Sequence, residues 1–227
     1  MAAYYYFIAQ LPFLSYGQAA PMPPDRFKAM ARDMLSPADA ALLDYCALDP
    51  DAALRQAALD RGDKGAGAAP PYGEPPRPVN SSFIDGWYAW ERALRLHLAR
   101  YRAQALKRDG AAPVDPPGSP PEADAAAKAA LALESPLDAE LLLDKARWDA
   151  IEALEGLDYF GRNTVYAYLL KLLLMERRSA FKAPEGFAEY KALYASIMEQ
   201  VSMTEARFSE GPFKEVTPTS IESGEPK

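Results

Sequence analysis

Apolar residues between positions 83 and 105 recur every three or four residues, which is the spacing of one face of an α-helix. The stripe consists of Phe83, Trp87, Trp90, Leu94, Leu98, Tyr101 and Ala105, and it is flanked by Ile84 and Tyr88. An isolated helix with such a face is only marginally stable in water, so it requires other elements to pack against. The stripe therefore predicts a helical domain built around this segment.

The rest of the chain also favours helix over strand. Ala, Leu, Glu, Lys and Arg are abundant and β-branched residues are few, which is typical of helical proteins. Typical helix starts combine a Ser, Asp or Asn residue that caps the first turn with, in most cases, a proline at the first helical position. Four such starts occur in the chain: Ser36-Pro37, Asp49-Pro50, Asn80-Ser81-Ser82 and Ser135-Pro136. We predict an all-α bundle of about six or seven helices.

Segments rich in proline and glycine divide this bundle. Residues 62–79 and 111–121 have no periodic apolar face and predict flexible loops. We expect residues 1–208 to form one helical domain and residues 209–227 to form a disordered tail. The aromatic segment 4–8 is expected to lie extended against the helices. The segment 162–181, which is apolar almost all round, is expected at the centre of the bundle.

Charge and cysteine content restrict the classes of partner and compartment. The formal net charge of −7 argues against nucleic acid as a partner and against an anionic membrane surface. The longest apolar run, residues 165–175, contains Lys171 and is too short to span a bilayer, so direct membrane insertion is not expected. Cys46 cannot form an intramolecular disulfide because it is the single cysteine. The N-terminus lacks the features of a signal peptide, and we expect a cytoplasmic protein.

Residues that could carry chemistry are sparse. His97 is the single histidine and is interpreted as a structural residue at the edge of the apolar stripe. The acidic pairs Asp138 with Asp144 and Glu152 with Glu155 are interpreted as solvated helix faces. Phosphate-binding and metalloprotease motifs are absent from the sequence. We therefore predict no catalytic, cofactor-binding or metal-binding residues, no cofactor and no enzymatic activity.

Basic residues follow the long helix on the side away from its stripe. Arg92, Arg95 and Arg102 are the main members of this group, which also includes Arg100, Lys107 and Arg108. The simplest interpretation is a solvated helix face. The main alternative is a contact with an acidic partner protein, followed by a contact with nucleic acid or phosphate. Arg92, Arg95 and Arg102 are the candidate partner-binding residues.

Three stretches of the sequence resemble a bacterial family that is encoded within V-type ATPase operons. Residues 4–12, YYYFIAQLP, resemble its aromatic N-terminus, and residues 83–95, FIDGWYAWERALR, resemble its central helix. Residues 158–160, DYF, followed by residues 168–172, YLLKL, are similar to its C-terminal core helix. The resemblance covers residues 4 to about 194.

The resemblance implies a mechanical role. The family takes the operon position that is otherwise held by the socket subunit, the helical component between the central stalk and the membrane rotor ring. It implies a non-catalytic subunit or assembly factor that binds central-stalk and rotor-ring subunits, with the ATPase bringing it to the inner membrane. Two rival functions remain open: a helical regulator that binds a small molecule, and a hydrolase that uses buried carboxylates.

Overall fold

The computed structural model of the chain describes residues 4–60, 79–106, 120–157, 159–181 and 189–198. The chain divides into two compact units, Met1–Phe181 and Lys182–Lys227. A unit boundary therefore falls inside the segment 1–208 that the sequence predicts to be one domain. The predicted loops lie outside the described residues except at Val79, Pro120 and Pro121, and the predicted tail 209–227 lies outside them entirely.

The described part of the first unit is helical, as the sequence predicts. Its α-helices are α1 (Tyr5–Ala9), α2 (Pro24–Met34), α3 (Pro37–Ala41), α4 (Pro50–Asp60), α5 (Ser82–Ala105), α6 (Pro121–Leu131), α7 (Pro136–Glu155) and α8 (Arg162–Ser179). A 3-10 turn over Leu42–Tyr45 follows α3 directly. In the second unit the described residues, 189–198, are also helical.

The predicted helix starts are confirmed at atomic detail. The hydroxyls of Ser36, Ser81 and Ser135 accept hydrogen bonds from backbone N–H groups three residues further on, at the starts of α3, α5 and α7. Gly156 ends α7 with a φ of 70°, a conformation that favours glycine. Local capping chemistry therefore decides these boundaries.

The N-terminal aromatic segment is helical, so the prediction that it lies extended is wrong. Phe7 is buried, and Tyr4, Ile8 and Leu11 are partly buried against the core. These four residues have the spacing of one helix face, which places Tyr5 and Tyr6 outside. The preference of aromatic residues for strands is weak, and packing on the neighbouring helices overrides it.

The core lies where α5, α7 and α8 meet. Helix α5 packs against α6, α7 and α8, and α8 also packs against α2. The stripe of α5 is buried from Phe83 to Leu98, whereas Tyr101 is half-buried and Ala105 is exposed. Helix α8 is buried on most sides, as predicted, through Val165, Tyr166, Leu169, Leu170, Leu172 and Leu174. The helices over the described ranges include none with the length and continuous hydrophobicity that a membrane-spanning segment needs.

Candidate interaction surface

The three arginines of α5 that the sequence predicts to bind a partner differ in their contacts. Arg95 donates hydrogen bonds to Glu91 Oε1 at 3.0 Å and to the Leu48 carbonyl oxygen at 3.1 Å. Its Nη1 also lies 3.1 Å from Asp49 Oδ1. Arg92 Nε lies 3.6 Å from Asp51 Oδ1. Two of the three arginines therefore join α5 to the start of α4, and Arg102 is exposed.

A buried group of charged residues connects α5 to α7. Arg147 Nε lies 3.0 Å from Glu91 Oε2, and its Nη2 lies 3.2 Å from Glu91 Oε1, which is a bidentate contact. Arg147 Nη1 also donates to Asp144 Oδ1 at 3.0 Å. Glu91 is fully buried and Asp144 is 1% exposed. The arrangement is an internal ion-pair cluster in which Arg147 bridges two carboxylates.

Electrostatics within this cluster follow from burial and pairing. Burial raises the pKa of Asp144, and the positive charges of Arg177 and Arg147 offset only part of that effect. For Arg147, burial favours the neutral form, but attraction to Glu91 outweighs it and raises the pKa. Both oxygens of Glu91 accept hydrogen bonds from guanidinium groups. This bonding is typical of a structural clamp between helices.

Sequence reasoning missed this cluster, although a signal was present. At 100° per residue, Glu91 lies between Trp87 and Ile84 on the helical wheel and therefore falls inside the apolar arc of α5. Arg147 lies in the same way between Leu143 and Ile151 on α7. Opposite charges inside two apolar arcs indicate a buried pair between the two helices. The interpretation of Asp144 as a solvated residue is wrong, because Arg147 and the α7–α8 contact enclose it.

The remaining predicted residues take structural positions. His97 is buried on α5, and its Nδ1 lies 3.4 Å from Asp124 Oδ1 on α6. Trp148 donates to Glu152 at 2.8 Å, and Lys171 donates to Glu155 at 3.0 Å. Cys46 is buried, and burial raises the pKa of its thiol. Within the described ranges, His, Cys, Asp and Glu form no group of three or more that could hold a metal ion.

The N-terminal helix α1 is fixed to the body of the first unit by polar and apolar contacts. Tyr4 donates its backbone N–H to the Phe160 carbonyl oxygen at 2.7 Å and its hydroxyl to Asp39 Oδ2 at 2.5 Å. Asp39 also accepts hydrogen bonds from Ser36 and Arg162. Phe7 packs on Phe27, with ring centroids 5.7 Å apart. This end of the chain is therefore held by side chains from several elements.

The outer side of α1 and the turn between α7 and α8 expose a group of large apolar residues. We define the N-terminal aromatic surface as Tyr5, Tyr6, Leu157, Tyr159 and Phe160, which are between 40% and 85% exposed. The rings of Tyr5 and Phe160 are 4.5 Å apart and join the two segments. Grouped exposed apolar residues of this kind mark interaction sites more often than scattered ones do.

The chemistry of this surface suits protein binding. Tyrosine and phenylalanine supply large contact areas with few rotatable bonds, and aromatic residues dominate the energetics of protein interfaces. Because Tyr4 and Phe7 already hold α1 in place, little ordering entropy remains to be lost when a partner binds. Over the described residues, the first unit is therefore an all-α fold that carries an exposed aromatic surface. Comparisons with protein-family models, with curated proteins and with solved structures find no match to this chain.

Proposed function

We propose that this chain is a non-catalytic helical subunit or assembly factor of a bacterial V-type ATPase, which binds its partner through the N-terminal aromatic surface. The observation that carries the proposal is the exposure of Tyr5, Tyr6 and Tyr159 on segments held by the hydrogen bonds of Tyr4. An anchored aromatic group loses little entropy when it is buried by another protein.

The V-type ATPase assignment comes from the sequence resemblance. Two of the three stretches that carry it, residues 4–12 and residues 158–160, contribute residues to the N-terminal aromatic surface. The aromatic residues that carry the resemblance therefore coincide with a candidate contact surface, which favours an interaction role over a purely internal one. The proposed partners are central-stalk and rotor-ring subunits, bound in the manner of the socket subunit.

The first test asks whether the chain belongs to the complex. The V-type ATPase is purified from cells that naturally produce this protein, and its components are identified by mass spectrometry. We expect the chain to be present, either in the mature enzyme or in partly assembled stalk complexes. Its absence from both would contradict the proposal.

The second test concerns the surface itself. Tyr6→Ser/Tyr159→Ser is compared with the wild type for binding to purified stalk subunits. A buried aromatic hot spot is worth about 2 kcal/mol or more, so we expect affinity to fall at least roughly thirtyfold. Leu131→Ser/Leu133→Ser is the matched control, because both leucines are about 40% exposed near the end of α6.

The control variant should bind like the wild type. Thermal melting of Tyr6→Ser/Tyr159→Ser should also match the wild type, because Tyr6 and Tyr159 are mostly exposed. Equal loss of binding in the two variants would show that exposed apolar residues contribute to affinity for the stalk subunits wherever they lie on the surface. That result would remove the specific role of the N-terminal aromatic surface.

A further inference from the structure

Seven charged residues of alternating sign lie in a continuous row across the first unit, and we define this row as the charge chain. In order, its members are Asp49, Arg95, Glu91, Arg147, Asp144, Arg177 and Glu140. The two side chains at each end are between 34% and 46% exposed, whereas the three central side chains are at most 7% exposed. The charge chain therefore connects the start of α4 with the last turn of α8 through the core.

Both central carboxylates are shared between two arginines. Glu91 Oε1 accepts hydrogen bonds from Arg95 Nε at 3.0 Å and from Arg147 Nη2 at 3.2 Å. Asp144 Oδ1 accepts a hydrogen bond from Arg147 Nη1 at 3.0 Å, and Arg177 Nη1 lies 3.9 Å away. When one arginine leaves a shared carboxylate, the other is attracted more strongly, so a change at one link alters the next.

The link between Arg177 and Asp144 is the longest in the charge chain. Arg177 Nη1 lies 3.9 Å from Asp144 Oδ1, beyond hydrogen-bond distance, while Arg177 Nη2 donates to Glu140 Oε2 at 2.8 Å. Asp144 Oδ2 is buried and accepts no hydrogen bond from the described residues. Because a buried acceptor without a donor is unfavourable, a second position is open to Arg177, in which its guanidinium turns from Glu140 to Asp144.

We propose that Arg177 is a two-position switch that Arg95 controls through the charge chain. When Arg95 leaves Glu91, this carboxylate draws Arg147 closer and away from Asp144. Arg177 then moves from its surface partner to Asp144. The two positions are discrete, which is the kind of element that coupling between distant sites requires. A contact that displaces the start of α4 is thereby transmitted to the last turn of α8, about the length of the bundle's cross-section away.

Hydrogen exchange at α4 tests the coupling from the α8 end, because thermodynamic coupling is reciprocal. In Glu140→Gln, Arg177 loses its charged surface partner and should move to Asp144, so that Arg147 binds Glu91 more closely and Arg95 is held less. We expect the α4 amides of the full chain to exchange at least about threefold faster than in the wild type, which lies within the coupling typical of one charged network.

Two controls accompany this measurement. Glu134→Gln removes the same charge from an exposed position just before α7 and should leave α4 exchange unchanged. Within Glu140→Gln, the amides of α2 should exchange as in the wild type, because α2 contributes no residue to the charge chain. Equal acceleration in α2 and α4 would reflect a general loss of stability and would overturn the proposal.

A double-mutant cycle tests the coupling from the α4 end. Arg95→Ala and Arg177→Ala change residues without a common hydrogen-bond partner, and such pairs usually have additive effects on stability. Since Asp144 depends more on Arg177 once Arg95 is absent, Arg177→Ala should shift the unfolding equilibrium at least about fivefold more in Arg95→Ala than in the wild type. The same cycle with Arg102→Ala in place of Arg95→Ala should be additive, because Arg102 is exposed on α5.

Urea unfolding followed by tryptophan fluorescence measures both cycles, since all three tryptophans lie in the first unit. A crystal structure of Arg95→Ala should show Arg177 within hydrogen-bond distance of Asp144 and away from Glu140. Arg177 still on Glu140 in that structure, an additive first cycle, or unchanged α4 exchange in Glu140→Gln would each overturn the proposal. These measurements use the chain without a partner, so their outcome does not depend on the V-type ATPase role.

Discussion

Glu91 is the residue whose position contrasts most with its chemistry. It is fully buried between Trp87 and Ile84 on a helix face that is otherwise apolar. A buried carboxylate is tolerated only when charged partners and hydrogen bonds replace the water it loses. Arg147 and Arg95 provide that replacement from α7 and from the next turn of α5.

Removing Glu91 should therefore destabilise the fold strongly. In Glu91→Ala, Arg147 stays buried beside Asp144 alone, and breaking such a pair typically costs about 3–5 kcal/mol of unfolding free energy. Urea unfolding followed by circular dichroism measures the change. Glu176→Ala is the control, because Glu176 is exposed on α8 and should change stability by less than about 0.5 kcal/mol.

A triple variant distinguishes the loss of charge pairing from the loss of packing. Glu91→Leu/Asp144→Leu/Arg147→Met replaces all three buried charges with apolar side chains and should recover most of the lost stability, since apolar replacements of buried ion pairs and triads are often neutral. A loss of unfolding free energy under about 1 kcal/mol in Glu91→Ala would mean that water replaces Glu91 as the hydrogen-bond partner of Arg147. The cluster would then contribute little to stability.

At the scale of elements, the start of α4 depends on α5. Asp49 Oδ1 accepts hydrogen bonds from the backbone N–H groups of Asp51 and Ala52, which caps α4. Burial opposes the charge of Asp49, but these bonds and the nearby Arg95 lower its pKa. Arg95 thus links the cap of α4 to Glu91, and it adds to the packing of Ala53 and Leu54 against the core.

Charge reversal at Arg95 should loosen α4. Arg95→Glu removes the bonds to Leu48 and Glu91 and places a carboxylate between Asp49 and Glu91, where like charges repel. Hydrogen bonds to charged groups are worth about 1.5–3 kcal/mol each, so the midpoint of thermal unfolding should fall by several degrees. Hydrogen exchange should accelerate at the α4 amides first.

Arg102→Glu is the matched control because Arg102 is exposed on the same helix. It should leave both the melting temperature and α4 exchange unchanged. If it weakens binding to stalk subunits without changing stability, the partner-binding role predicted for the basic face is located at Arg102. Identical melting of Arg95→Glu and the wild type would show that the α4–α5 link has no structural effect.

At the scale of the whole first unit, Asp39 joins segments that are distant in sequence. It accepts hydrogen bonds from Tyr4 before α1, from Ser36 at the start of α3 and from Arg162 at the start of α8. Tyr166 donates its hydroxyl to the Asp39 carbonyl oxygen at 3.0 Å. Burial opposes ionisation of Asp39, but the hydrogen bonds that its carboxylate accepts from Tyr4, Ser36 and Arg162 outweigh burial and lower the pKa of the carboxyl.

The lowered pKa predicts a stability loss in acid that depends on Asp39. A carboxyl whose pKa is lower in the folded state contributes stability above its unfolded pKa, about 3.9, and loses it as pH falls through the folded value. Asp144 acts in the opposite direction, because burial raises its pKa. The informative quantity is therefore the difference between the wild type and Asp39→Asn, measured by urea unfolding from about pH 3 to 7.

We expect the wild type to be more stable than Asp39→Asn at about pH 6 and the difference to shrink below about pH 4. Hydrogen exchange at α1 should be faster in Asp39→Asn at neutral pH, because Tyr4 loses a charged acceptor. A difference that stays constant with pH would mean that ionised Asp39 contributes nothing to folding. Binding through the N-terminal aromatic surface should weaken in Asp39→Asn if that anchoring matters.

Local chemistry in the sequence determined the fold class and several helix boundaries. The starts of α3, α5 and α7 depend on Ser36, Ser81 and Ser135 capping groups three residues away, and such contacts are readable from neighbouring residues alone. The apolar circumference of α8 likewise predicted its burial.

Tertiary structure decided which helix faces pack against each other. That packing determined the structural roles of several residues. Glu91 and Arg147 are 56 positions apart, and they became a buried pair only because α5 and α7 face each other there. The same holds for Arg95, which contacts the start of α4, and for Tyr4, whose contact with Asp39 helps hold α1 against the other helices. Propensity and capping act over a few residues, whereas burial and charge pairing depend on which distant segment supplies the opposite surface.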